Sequence, residues 1–574
     1  MSTQRARERR RRIFKRAVPI VVIASAAFVG GAVVAAEPVA PAAQRLLNAW
    51  ERGDYEAMHA ELTPDAQDEY PLERFERIYT NAAETATVAS VTAGEVSEEE
   101  GGALAPVSLR THVFGALSGE LSLPIEDDQV AWAPNLVYPG LGADERLTRR
   151  TRAPRRAAIL AADRTPLSRG PAAARTLDTA AVAVVGEVGT PTRAQAADLA
   201  IRGFPPGSLT GTSGLELAWN QRLSGRPGGQ LVAVSADEES EIGGGRILAS
   251  SDPVPGKPVR TTIDPVLQEA AVTALGSLFG GVAVLDARNG RVLALSGIAY
   301  SSPQPPGSTF KVITTTGALD AGIVSLDDEF PVESSNSDIG REIANSHDAP
   351  CGGTFAESFA SSCNTVFAPL GADLGGEELV ETSELFGFNS PPEMFDPKAT
   401  AAVKPPASTI PEDLSSSVEV GESAIGQGQV LATPLQMATV SQTIANEGTR
   451  MPTPIARNAE LEPDAKPVEV TSPATAATVR DLMIGVVDAG TGVAAALPGV
   501  QVAGKTGTAE LGPAPAAPGD EEAVQELDAW FTAFAPANDP TLAVAVMIVD
   551  SGGDGGEIAA PIAREVLATG LGVQ

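Results

Sequence analysis

The seven residues Pro305-Pro306-Gly307-Ser308-Thr309-Phe310-Lys311 decide how the rest of the chain is read. The Pro-Pro-Gly step ends whatever precedes it, and a helix is expected to begin just beyond. Ser308 and Lys311 then lie one turn apart on a single helical face, close enough for an amine to take a hydroxyl proton. A serine at a helix N-terminus gains further from the positive end of the macrodipole as it becomes an alkoxide. Ser-x-x-Lys on its own is a common accident of an exposed helix, so its weight depends on its company.

Two further constellations supply that company. Ser362-Cys363-Asn364 offers a hydroxyl able to relay a proton and an amide able to hold a carbonyl. Lys505-Thr506-Gly507-Thr508 follows the apolar run Val500–Ala503 and reads as an edge strand with one small residue where another backbone approaches closely. Its lysine brings positive charge and its threonine hydroxyls can bind a carboxylate. The choice of cation is informative. The chain has seven lysines against 34 arginines, and two of the seven stand in these motifs. Arginine cannot be deprotonated in a protein, so a base at position 311 must be lysine, whose pKa falls on burial or beside a second cation such as Lys505.

Outward from the first motif the pattern is α/β. Asp264-Pro265 is a helix start, with Asp as cap and Pro in the first turn, and the helix is expected to run through Gln268 to about Leu278. Val282–Leu285 and Arg291–Ser296 flank Asn289-Gly290, a strong hairpin signal. Trp530–Phe534 and Leu542–Val549 read as strands and Ile558–Leu567 as a closing helix. One sheet built from both ends of this region follows. Upstream, Pro253–Pro258 marks a linker, and Gly203–Gly214 is loop-rich. Helical patterns at Ala43–Arg52, Glu56–Leu62 and Leu72–Thr80, then β-like runs at Val107–Val113 and Gly119–Leu123, predict a small α+β domain.

At 574 residues the chain exceeds a single core, and three or four domains are expected. Apolar residues make up 43% and mean hydropathy is +0.02, which excludes a disordered or multi-spanning chain. A formal net charge of −32 argues against nucleic-acid binding. Against that acidity the first 16 residues carry eight Arg or Lys and one Glu, and Ala17–Ala36 carries no charge. Twenty helical residues span about 30 Å, the thickness of a bilayer core. An anchor with its basic end in the cytoplasm is expected, a cleaved signal peptide ending at Val34-Ala35-Ala36 being the alternative. Cys351 and Cys363 read either as a disulfide or as a buried pair of small apolar residues. Two cysteines and three scattered histidines (His59, His112, His347) give no metal set, and no cofactor is expected.

Ser-x-x-Lys, Ser-x-Asn and Lys-Thr-Gly in this order resemble the penicillin-binding protein and serine β-lactamase superfamily. Thr261–Gln268, Pro305–Lys311, Ser362–Thr365, Ile425-Gly426-Gln427-Gly428, Thr433–Ala438 and Ala503–Glu510 narrow the resemblance to class B transpeptidase domains over about 258–570. Gly211–Leu223 is similar to the non-catalytic region upstream in that class. Trp50, Gly53-Asp54-Tyr55, Met58, Trp132 and Pro139-Gly140-Leu141 resemble the NTF2-like domain of the MecA-type subgroup. The resemblance implies a multidomain chain: a cytoplasmic tail at 1–16, a transmembrane helix at 17–36, an α+β NTF2-like domain at 40–145, a mixed α/β pedestal of the dimerisation type at 146–257 and an α/β transpeptidase domain at 258–574. One departure stands out. Where the family has Arg-Gly-x-Ile-x-Asp-Arg, this chain has Arg156–Ala162 without the glycine or the Asp-Arg pair, which puts the pedestal's geometry in question.

The resemblance also implies a mechanism. Lys311 deprotonates Ser308, which attacks the penultimate D-Ala carbonyl of a stem peptide. Backbone amides of Ser308 and Thr508 form the oxyanion hole. Ser362, with Lys505, passes a proton to the leaving D-Ala. Asn364 orients the peptide, Gly507 leaves it room, and Thr506 and Thr508 bind its terminal carboxylate. The implied partners are peptidoglycan stem peptides, β-lactams as inhibitors, the membrane, a glycan polymerase and division or elongation proteins. A D,D-carboxypeptidase or β-lactamase is the competing enzyme, although no Glu-bound deacylating water is evident; a β-lactam sensor or silent scaffold is the competing non-enzyme. Around the motifs, Cys363 is expected to face the core and Gly426-Gln427 either floors the site or makes a turn. His347 reads as a surface-loop residue, Pro513–Glu526 as a hairpin loop, and the NTF2-like domain as a spacer.

Overall fold

The computed structural model describes residues 40–236, 245–396, 403–513 and 525–573. The expected tail and anchor at 1–36 lie outside the described residues, as do 514–524 of the expected hairpin loop. Among the described residues no helix is long and apolar enough to cross a membrane. The described residues divide into two compact units, one drawn from 40–78, 91–108 and 118–143, the other from 79–90, 109–117 and the described residues after 143.

The first unit is α+β. Its opening helix, Pro41–Arg52, starts on a proline and stops at Gly53, whose φ of +69° is a left-handed cap that only glycine adopts freely. The helix expected over Glu56–Leu62 is instead Tyr55–Ala60, because Thr63 caps a separate helix at Pro64–Glu69. The third predicted helix continues past Thr80 to Ala86, since no glycine or proline interrupts it. Tyr70 and Phe75 both meet the Trp132 ring edge to face, at 5.0 and 4.8 Å.

In the second unit, the strands Glu145–Arg152, Gly228–Ser235 and Arg246–Ser251 form one sheet and short strands at 159–160, 166–169, 176–177 and 259–260 another. Beside them Glu216, fully buried, accepts hydrogen bonds from Arg156 (2.6 Å), Arg175 (2.7 Å) and Ser168 (2.6 Å), while Arg156 also reaches Asn220. Arg156, at the head of the departing stretch, is thus held by a buried carboxylate and an amide. Asp163 and Arg164 make the following turn, with Arg164 at φ 79° and the Asp163 carboxylate accepting from Thr165.

A five-stranded sheet in the second unit joins distant segments: β1 (Gly280–Asp286), β2 (Val292–Gly297), β3 (Ala503–Pro513), β4 (Gln525–Ala535) and β5 (Leu542–Ile548). Their spatial order is β2-β1-β5-β4-β3, antiparallel throughout, with β3 at the edge. The strand composition explains this placement. Val282, Val284, Phe531, Val544 and Val546 belong to one apolar cluster, while Ala283, Leu285, Trp530, Ala543, Ala545 and Met547 belong to another. Alternate residues therefore face two cores, and strands buried on both faces read as uninterrupted apolar runs. The first core takes α1 (Pro265–Leu275) and α7 (Ala559–Leu571); the second takes α2 (Lys311–Asp320), α3 (Phe355–Ala360), α4 (Asn364–Leu374), α5 (Pro434–Ala445) and α6 (Pro473–Asp488). Asp264 caps α1 by accepting from Val266 and Leu267, and the helix ends at Gly276 rather than Leu278. Inside it, buried Gln268 bonds Leu295 in both directions and the carbonyl of Ala180.

Candidate active site

Three elements converge on one cleft. Ser308 lies in a short 3-10 turn, Gly307–Phe310, that leads into α2, so Lys311 is the first residue of the helix proper. Ser362 and Asn364 sit at the start of α4. Lys505–Thr508 runs along the edge strand β3. Ser308, Ser362, Asn364, Thr506, Gly507 and Thr508 line a cavity of about 740 Å³.

The glycines explain how close the elements come. A Cβ at Gly507 would lie 2.7 Å from the carbonyl oxygen of Pro306 and 3.0 Å from the amide of Thr309. The space kept open at 507 is therefore filled by the serine turn itself. Gly307 donates to the carbonyl of Gly426 at 3.0 Å, and Gly426 holds φ +73° to receive it. Gly426 buttresses the turn from behind, and Gln427 lines the cleft.

Both lysines are fully buried. Lys311 Nζ lies 2.7 Å from the Ser362 carbonyl, 2.7 Å from Asn364 Oδ1 and 3.4 Å from Ser362 Oγ. Lys505 Nζ lies 2.8 Å from Ser362 Oγ and 3.1 Å from the carbonyl of Thr506. Asn364 gives its own amide protons to Ala344, which settles which end of the side chain faces Lys311. Burial, and after it the charge of Lys505, holds Lys311 well below the ordinary lysine range. Burial alone brings Lys505 to about 7. A neutral amine has two N–H donors and one lone pair. In its neutral form Lys311 would use both donors in the two short contacts, with the lone pair left for a proton. Phe367 and Phe359 form apolar walls 5.4 and 5.7 Å from the two amines.

Ser362 has φ 62°, a left-handed conformation that a serine adopts only when its surroundings hold it there. Those surroundings include a disulfide between Cys363 and Cys351, with both residues buried, which resolves the open reading of the two cysteines. On the far side of the cleft the Thr508 hydroxyl donates to Asp554 Oδ1 at 3.2 Å, and Asp554 Oδ2 lies 2.9 Å from His347 Nε2. Thr506 Oγ1 shares a hydrogen bond with Thr491. Asp554 and Thr491 were not among the residues marked by sequence. The one signal for Asp554 is its isolation within the glycine-rich run Gly552–Gly556 after the last strand. Among the described residues no group of three or more His, Cys, Asp or Glu is placed to hold a metal.

With this geometry in place, comparison with known proteins is direct. The penicillin-binding protein transpeptidase domain model matches residues 280–568, half of the chain, and the penicillin-binding protein dimerisation domain model matches 174–261. The chain belongs to the penicillin-binding protein transpeptidase family. The pairing of these two domains is that of its class B members. Among family relatives, the peptidoglycan D,D-transpeptidase PbpA of Mycolicibacterium smegmatis is 34% identical over 378 residues, covering 55% of this chain and 73% of the relative. The peptidoglycan D,D-transpeptidase MrdA of Acinetobacter baumannii is 29% identical, with coverages of 62% and 60%. Among solved structures, the D,D-transpeptidase domain of a peptidoglycan glycosyltransferase from Eggerthella lenta aligns with a TM-score of 0.57 at 28% identity, over 73% of this chain and 99% of that one. Penicillin-binding protein A of Mycobacterium tuberculosis, as its penicillin G acyl-enzyme complex, aligns with a TM-score of 0.56 at 26% identity, over 73% and 100%.

Proposed function

We infer that this chain is a serine D,D-transpeptidase that cross-links peptidoglycan stem peptides through an acyl-enzyme on Ser308. The observation that carries this reading is the meeting of two buried amines on one hydroxyl, Ser362 Oγ, inside the cleft that Ser308 lines.

Each residue has a role that follows from its surroundings. Lys311, whose neutral form burial favours, takes the Ser308 proton as the oxygen attacks the penultimate D-Ala carbonyl. The amides of Ser308 and Thr508 stabilise the oxyanion, since β3 lies directly on the serine turn. Ser362, bridging the two lysines, returns the proton to the departing D-Ala nitrogen. Lys505, poised at about 7, can supply or hold charge at that step. Asn364 orients the donor strand, and Thr506 and Thr508 receive its terminal carboxylate. An amine from a second stem peptide then takes the acyl group. A β-lactam enters as a mimic of the D-Ala-D-Ala end and stops at the acyl-enzyme.

The wider organisation belongs to the same reading. Residues 1–16 and 17–36 serve as a basic cytoplasmic tail and a membrane anchor, placing the catalytic region outside the cell membrane; their charge pattern supports this. Residues 40–145 form a MecA-type NTF2-like spacer, supported by the α+β order and the aromatic group at Trp132. Residues 146–257 form the pedestal and 258–574 the transpeptidase domain. A glycan polymerase and division or elongation proteins are the partners such an arrangement serves.

The test is acceptor dependence. A donor ending in D-Ala-D-Ala is supplied with an amine acceptor, and D-Ala release and the new amide are both measured. Amide formation that rises with acceptor supports a transpeptidase. Release that yields only the hydrolysed donor, whatever the acceptor concentration, makes the protein a carboxypeptidase and contradicts the reading.

A further inference from the structure

Thr508 stands where the donor's carboxylate is received, yet its single hydroxyl proton is given to Asp554. In that state the hydroxyl offers an incoming carboxylate only lone pairs, and Asp554 adds a negative charge beside it. The same carboxylate is held from its other oxygen by His347, at 2.9 Å, across the mouth of the cleft. His347 is 71% exposed in its side chain. It and Asp348 adopt left-handed φ values of 56° and 53° in succession, a strained pairing for non-glycine residues. The loop that carries them is pinned on one side by Asn345, which accepts from Thr365 and donates to Glu333, and on the other by the Cys351–Cys363 disulfide.

We propose that His347 is a positioning residue for carboxylate recognition: as an imidazolium it offsets the charge of Asp554, so that Thr508 is able to turn its proton toward the carboxylate that ends the donor peptide or a β-lactam. This rests on the transpeptidase reading of the cleft. Other charges face the same imidazole. Asp554 above all, by hydrogen bond and charge, then Glu557, on the same loop, and Glu510, on β3, favour its protonated form and raise its pKa above the ordinary value. Asp348 adjoins it in the chain, and Arg341 is committed to Glu422. Lys505 also loses charge near neutrality, so the alkaline side of the pH profile has two sources that must be separated.

The experiment uses the full chain and penicillin G, and resolves the apparent dissociation constant of the initial complex from the acylation rate constant between about pH 5.5 and about pH 8.5, the range in which imidazole titrates. His347→Gln is expected to weaken the initial complex about threefold near neutrality, the scale of a charge pair whose imidazole is mostly exposed. The acylation rate constant should change far less. Asp554→Asn is expected to bind at least as well as wild type and to keep only the Lys505 part of the pH dependence. Most tellingly, Asp554→Asn placed in the His347→Gln background should restore binding, because no charge then needs offsetting. A double variant as weak as His347→Gln would mean that the hydrogen bond is merely structural, and would overturn the proposal. So would a His347→Gln variant with wild-type affinity and pH profile. In either case normal acylation of the wild type leaves the transpeptidase reading standing, whereas a wild type that is never acylated removes both.

Discussion

Lys311 cannot be replaced by the residue the chain otherwise prefers. Arginine keeps the positive charge and the hydrogen-bonding capacity but has no accessible neutral form. Lys311→Arg is therefore expected to lower the penicillin acylation rate by about 10³-fold, within the range for loss of a general base, while thermal unfolding shows the fold retained. In the wild type, acylation should rise with pH on the acid side and level off once Lys311 is neutral, a profile lost in the arginine variant. The sign for stability follows from the same depression. Lys505 binds its proton more weakly when folded, near 7, than when unfolded, near 10.5, so its contribution to stability rises with pH across that window. Denaturant unfolding of wild type against Lys505→Met at the two ends of the window measures it. At this scale the motifs were legible because each needs particular residue types at short spacing. The left-handed φ of Ser362 was not, because nothing in Ser-Cys-Asn announces it. The His347–Asp554 contact was not, because it joins residues 207 positions apart.

Elements are held in register here by close approach more than by charge. Gly507→Ala would drive a methyl group into the serine turn, 2.9 Å from Thr309 Cγ2 and closer to Pro306. The expected result is a drop in acylation of about 10²-fold from misplacement alone, with a stability loss of about 1–3 kcal/mol. Titrating the residual penicillin adduct and the urea midpoint separates the two. The disulfide works on the neighbouring elements by closing a short loop beside Ser362. Replacing both cysteines with alanine is expected to cost up to about 3 kcal/mol, and adding reductant to the wild type should reproduce the shift in melting temperature. Hairpins and caps such as Asn289-Gly290 and Asp264-Pro265 could be read directly, because their signals are local. The pairing of Cys351 with Cys363 could not, because twelve residues of separation suit a bonded and an unbonded pair alike.

Within the second unit, one apolar cluster runs from Ile159, Leu167 and Trp219 through Phe310 of the serine turn to Met547 of the sheet. The regions matched as dimerisation and transpeptidase domains therefore share a core. Glu216 is buried between Arg156 and Arg175, and its removal takes the carboxylate from both cations. Glu216→Ala is expected to cost about 3–5 kcal/mol, and calorimetry should show the catalytic region's melting shifted down with it. That a dimerisation-type segment precedes the transpeptidase segment was readable from motifs; this shared core was not, because the linker prolines at 253–258 mark a change of composition but not of packing. The central claim remains that Ser308 is the acylated residue of this assembly. It is tested most directly by treating the full chain with penicillin G and locating the adduct by peptide mass mapping, with Ser308→Ala alongside. A persistent adduct on the peptide containing Ser308, absent from the alanine variant, is the predicted result; an adduct that survives in Ser308→Ala, or none in the wild type, would contradict it.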